Sequence, residues 1–200
     1  MPVIAETAPA TASFWGRRKK WTRAECEIIQ STGVLSQQKV ELIEGDLLDK
    51  MGKNRPHTNA LIFVQDWLVR VFGVVYVNPE TTIDIAPEDN PTSEPEPDLI
   101  VLSKPSLMFR AANPRPSDIR LLIEISDSSL DLDLKVKASL YARAGIPEYW
   151  VLDVNREELW VHRNPADGKY KSITVYNKQE SVCPLAAPGQ EFRVAEAFPE

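Results

Sequence analysis

Between Pro97 and Trp150 two carboxylates fall in apolar runs of strand length, and a lysine falls on the apolar face of the helix that follows. The runs read PDLIVLS and RLLIEIS, then DLDLKVKASLYARAG, then IPEYWVLDV. Asp98 opens the first run and Glu124 interrupts the second. A carboxylate inside an apolar strand is costly to desolvate unless something offsets its charge. A divalent cation held by both acids, with a lysine beside it, would do so, and that equipment suits a metal-dependent phosphodiesterase. The competing reading of Glu124 is a strand-end acid paired with an arginine or lysine.

The helical phase sharpens the question. At about 100° per residue, Leu130, Leu134, Tyr141 and Ala144 share the apolar face of a helix over about 131–144, and Lys137 lies in its middle. Lys135 and Arg143 point away, toward solvent. A lysine on a buried stripe is unusual. It snorkels, pairs with Asp133 one turn back, or reaches into an acidic site. Asp133, Lys137 and Tyr141 form one ridge facing the sheet.

Elsewhere the chain is more ordinary. Thr22 with Glu25 three residues later forms a capping-box signature for a helix from Trp21 to Ile29. Lys39–Leu48 reads as a hairpin about Glu44-Gly45. Leu61, Val64, Leu68 and Val71, with Trp67 alongside, mark an amphipathic helix over 57–72 that Gly73 ends. Val74–Asn78 and Thr82–Ile85 are β-branched and read as strands. The segment APEDNPTSEPEPD reads as a surface loop. Tyr149–Val154 is a strand, and Leu159–His162 with Ile173–Tyr176 a terminal hairpin. The order predicts a mixed α/β (α+β) domain, a central mixed sheet flanked by helices with extra hairpins. Residues 1–20 read as a mobile leader and 21–200 as one domain.

Two further residues have a place in the chemistry. His57 opens the stripe of the 57–72 helix; it could touch a phosphate or a metal, position water, or simply cap the helix. Glu41, between Val40 and Leu42, faces opposite to both and is either a third acid or a surface residue. His162 reads as structural.

Composition limits the class. Of 200 residues, 43% are hydrophobic and 26% charged, with a formal net charge of -6, which argues against a protein that coats nucleic acid non-specifically. An enzyme with a local site remains open. Two distant cysteines give no disulfide framework or zinc site, and a reducing cytoplasm fits. No apolar run is long enough for a bilayer. The basic run Arg17–Lys20 is a solvated face or a nucleic-acid contact.

Taken together, VELIEGD at 40–46, His57, PDLIVLS at 97–103, LLIEIS at 121–126, the four-residue spacing of Asp133, Lys137 and Tyr141, and GIPEYWVLD at 145–153 resemble one family. It is the Uma-type restriction endonuclease family of the PD-(D/E)XK nuclease superfamily, common in bacteria. The resemblance implies a restriction endonuclease-like core of helix, three strands, helix and strand. It implies a magnesium-dependent endonuclease acting on DNA, with magnesium or manganese on Asp98 and Glu124. Lys137 would orient water or stabilise the charged transition state, and Glu41, His57, Asp133 and Tyr141 would support the site. A homodimer is expected by analogy with nucleases that cut both strands. One departure stands out: the superfamily lysine two residues after the second acid is replaced by Ser126, and Lys137 takes its place from the following helix. The alternative is a catalytically inactive nuclease-fold module for binding or assembly; a hydrolase of another phosphoester is a third reading.

Overall fold

The computed structural model describes residues 18–35, 38–50 and 54–199. The leader reading therefore lies outside the described residues up to position 17. Lys19 and Lys20 lie against the domain, pairing with Glu25 at 2.6 Å and Asp46 at 2.7 Å.

Helix α1 (Arg23–Ser31) begins where the capping box places it, with Thr22 and Glu25 bonding reciprocally. Strands β1 (Val40–Ile43) and β2 (Asp46–Asp49) pair antiparallel across Glu44-Gly45. Both turn residues have positive φ, 49° and 78°, as a two-residue hairpin turn requires. Helix α2 (Arg55–Phe72) has Asn54 as N-cap, its side chain accepting from the His57 N–H, and ends at Gly73 with φ 91°.

The main sheet has six strands in the order β3 (Val77–Pro79), β4 (Leu99–Leu102), β5 (Ile119–Ser126), β6 (Glu148–Asp153), β7 (Glu158–Ala166) and β8 (Lys169–Tyr176). All neighbours are antiparallel except β5 and β6. That parallel pair needs a crossover, supplied by a wide helical turn (Leu132–Lys137) continuing into α3 (Ala138–Arg143). The terminal hairpin extends the central sheet. A small pair, β9 (Ser181–Val182) with β10 (Phe192–Arg193), closes the C-terminal segment.

Strand alternation divides the core in two. Leu121, Ile123, Trp150 and Leu152 face α2, whereas Leu122, Tyr149 and Val151 face α3. Glu124 and Ser126 share the parity of Leu122, so both point to the α3 side. α2 buries Ala60, Val64, Trp67 and Leu68. Leu68→Ala removes a side chain with 0% exposure, and should cost about 2–5 kcal/mol in urea unfolding. Ile62→Ala, 54% exposed on the same helix, should stay within about 0.5 kcal/mol. Among the described residues no helix is long and apolar enough to cross a membrane.

The structure differs from the sequence reading at five places, one being the wide turn at Leu132–Lys137 within the helix expected over 131–144. Val74–Tyr76 is a 3-10 turn, and only Val77–Pro79 is strand. Thr82–Ile85 forms no strand: the N–H groups of Ile83, Asp84 and Ile85 go to Pro95 O, Pro114 O and Asn90 Oδ1, three separate acceptors. The 86–98 segment is a surface loop only in part: Pro87, Glu88 and Pro91 are exposed, but Ser93, Pro95 and Pro97 are buried. Proline cannot donate to a ladder, but the intervening Glu94 and Glu96 can. Their N–H groups bind Leu42 O at 2.7 Å and Glu41 Oε1 at 2.9 Å. Finally, Arg143 is not directed into solvent; it binds Asp89 and Glu44, each at 2.7 Å.

Candidate active site

The register of β4 on β5 sets the two acids side by side. Leu99 pairs with Ile123, so Asp98, one residue earlier, lies level with Glu124. Asp98 is 6% exposed and Glu124 4%. One oxygen of Asp98 accepts the Ile125 N–H at 2.8 Å and lies 3.3 Å from His57 Nε2. His57 reaches it because the N-cap at Asn54 aims the first turn of α2 at the end of β4.

Lys137 is 4% exposed. Its Nζ lies 3.0 Å from Glu124 Oε1, 3.0 Å from Glu41 Oε2 and 3.8 Å from Asp133 Oδ1. The lysine thus faces the acidic site and is not confined to an i,i+4 pair turned away from it. Glu41 is buried as well, positioned by the Glu96 N–H, and holds the far side of the ammonium. Tyr141, fully buried, donates its hydroxyl to Glu124 Oε1 at 2.9 Å. Asp133 accepts hydroxyl bonds from Ser126 and Ser129, each 2.6 Å. Glu41, His57, Asp98, Glu124, Asp133 and Lys137 therefore line one cavity of about 140 Å³, with Tyr141 behind it.

The charge balance is uneven. Four buried carboxylates meet one lysine and one histidine. Burial pushes Glu124 up to about 8 against the pull of Lys137, with Asp133, Asp98 and Glu41 adding to the rise. Burial likewise raises Asp133, opposed by Lys137 and the two serines. Burial alone would lower Lys137, but Glu124, Glu41 and Asp133 outweigh it and hold the ammonium above its ordinary range. In the metal-free site it is therefore held as an ammonium near neutral pH.

The donor chemistry suits a hard cation. Magnesium rests on one or two carboxylates and keeps several waters. Among the described residues no group of three or more His, Cys, Asp or Glu is placed around one ion position. Asp98 with Glu124 is a donor set of the sparser kind, and a cation there would offset charge that Lys137 leaves uncompensated.

Two neighbours of the cavity escaped the sequence reading, and a third, Ser126, has a partner the sequence did not show. Lys50 binds Glu96 at 2.7 Å. Asn54 bonds Asp127, which Asn155 also holds. The hydroxyl of Ser126 meets Asp133 across a loop. None had a local signal, since each contact joins residues on separate elements. His162 is buried, its ring packed between Tyr149 and Tyr170.

The fold is thus a mixed sheet whose parallel pair is crossed by a helix, with two strand acids and an inward lysine at one cavity. The Uma2 family, described as "Putative restriction endonuclease", matches residues 27–195, and the chain belongs to it. A crystal structure from Anabaena variabilis, described as "a putative nuclease belonging to DUF820", is similar in fold, with a TM-score of 0.63 at 15% identity. The match covers 81% of this chain and 90% of that one. No functionally curated protein matches the sequence.

Proposed function

We propose that the chain is a divalent-metal-dependent endonuclease that hydrolyses DNA phosphodiester bonds. The observation that carries this reading is Lys137, buried and 3.0 Å from both Glu41 and Glu124 at a cavity that Asp98 also lines. Asp98 and Glu124 would hold magnesium or manganese. The bound ion supplies Lewis-acid charge for the phosphate and a more acidic attacking water. Lys137, fixed as an ammonium, stabilises negative charge developing on the phosphoryl oxygens. Tyr141 fixes one oxygen of Glu124, His57 and the Ile125 N–H fix Asp98, and Glu41 anchors the lysine. DNA is the substrate class that the family suggests, and two copies would be needed to cut both strands together.

Cleavage of supercoiled plasmid tests the proposal. With magnesium or manganese the wild type should yield nicked or linear DNA, and Asp98→Ala should lower the rate by roughly 10²-fold or more. Chelator should stop the reaction. No cleavage of single- or double-stranded DNA with either metal would favour a non-catalytic module that binds through the same fold, a reading to which the net charge of -6 lends some weight.

A further inference from the structure

The helix that carries Lys137 is not a regular α-helix. Over Leu132–Lys137 the bonds span five residues, and the Ala138 N–H reaches back to the Asp133 carbonyl. Such wide turns are rare inside α-helices and need support from their surroundings. Here that support converges on Asp133. Its carbonyl accepts the Tyr149 hydroxyl at 3.1 Å. Its carboxylate accepts from Ser126 and Ser129, and its N–H binds Ser129 O at 3.0 Å.

Tyr149 is well placed to fix the helix against the sheet. It sits on β6 opposite Leu122 of β5, two residues from Glu124. Its ring is fully buried, 5.0 Å from that of Tyr141 and 6.1 Å from that of Tyr170, so the hydroxyl has little freedom to move. Tyr149 does not line the cavity. Lys137 follows Asp133 by one wide turn, and Tyr141 follows Lys137 by one α-turn; both end on Glu124 Oε1. A turn closed at five residues advances each residue less about the axis than one closed at four. Relaxation to α-helical bonding would therefore rotate Lys137 relative to Asp133 and carry Nζ off the line between Glu41 and Glu124.

We infer that Tyr149 is a positioning residue: with Ser126, its hydroxyl pins the wide turn at Asp133 and so sets the register of Lys137 on the two glutamates. The inference rests on the reading that Lys137 acts at this site. Tyr149→Phe keeps the ring and removes only the hydroxyl. Its single-turnover cleavage rate should fall about tenfold, the size of one lost hydrogen bond. Half-saturating metal and DNA concentrations should not change. By NMR, hydrogen exchange at the Ala138 amide should quicken about tenfold, and the Lys137 ammonium resonance should shift. Amides of α2 should exchange as in the wild type, which a general loss of stability would not allow. Ser126→Ala should reproduce the pattern, and it decides the matter should Tyr149→Phe not fold. Wild-type cleavage with unchanged Ala138 exchange and Lys137 resonance would overturn the inference. If the wild type cuts nothing, the nuclease reading fails, and the two NMR readouts still decide whether Tyr149 pins the turn: local change supports it, uniform or absent change overturns it.

Discussion

Lys137→Ala is expected to abolish metal-dependent cleavage and also to destabilise the fold. The two effects have one origin. Nζ is the cation 3.0 Å from Glu41 and from Glu124, with Asp133 at 3.8 Å. Removing a preorganised group that meets transition-state charge costs roughly 10²–10³ in rate. Removing one partner of a buried ion pair leaves its carboxylates uncompensated, at about 3–5 kcal/mol. Urea unfolding at pH 9, above the value near 8 to which Glu124 is raised, reads the second effect, and plasmid cleavage under conditions where the variant is folded reads the first. In a Glu124→Gln background the same lysine substitution should cost distinctly less, because one of the stranded charges is gone. Lys137→Arg should not restore cleavage, since a planar guanidinium does not reproduce a compact ammonium between two acids. A Lys137→Ala variant that cuts like the wild type would remove the lysine from the mechanism while leaving the acids in it.

The second large effect concerns pH. Glu124 is raised from an ordinary value near 4.5 to about 8, chiefly by burial. Between those values the folded protein binds a proton that the unfolded chain does not. Its contribution to stability is thus fully present below about pH 4.5 and is lost as pH rises toward about 8. Asp133 is raised in the same direction. Lys137 is raised above an ordinary 10.5, so its contribution is lost only at higher pH and does not oppose the trend in this window. The metal-free protein should therefore lose stability from pH 5 to pH 8, by an amount on the order of a few kcal/mol. Glu124→Gln keeps an oxygen for Lys137 and Tyr141 but cannot ionise. It should flatten the profile, match or exceed wild-type stability at pH 8, and lose cleavage. Magnesium should raise the wild-type Tm more at pH 8 than at pH 6, because proton and ion compete for the same carboxylate. Parallel pH profiles for wild type and Glu124→Gln would show that Glu124 is not the group responsible.

Glu124 and Lys137 are residues whose placement is legible in the sequence alone. The apolar run LLIEIS, of strand length, puts Glu124 inside a strand, and the phase of the following helix puts Lys137 on its buried stripe. A period of 100° per residue gives the face but not the means of holding it. The segment is a wide turn, and the tyrosine and serines that hold it lie on β6, at the end of β5 and in the loop between β5 and the helix. The proline-rich segment shows the opposite case. Its composition reads as exposed, yet its second half packs beside β1 because Glu94 and Glu96, between the prolines, donate N–H groups to Leu42 and Glu41.

Local order along the chain is enough for the capping box, the two long helices, the central strands and the list of acids. These depend on periodicity and on side-chain chemistry within a few residues, which one stretch of sequence carries whole. Which acid touches which cation is settled only by tertiary structure. Glu41 meets Lys137 across 96 positions, and His57 meets Asp98 across 41. Such contacts follow from strand register and helix placement, which the packed core sets as a whole and no local pattern encodes.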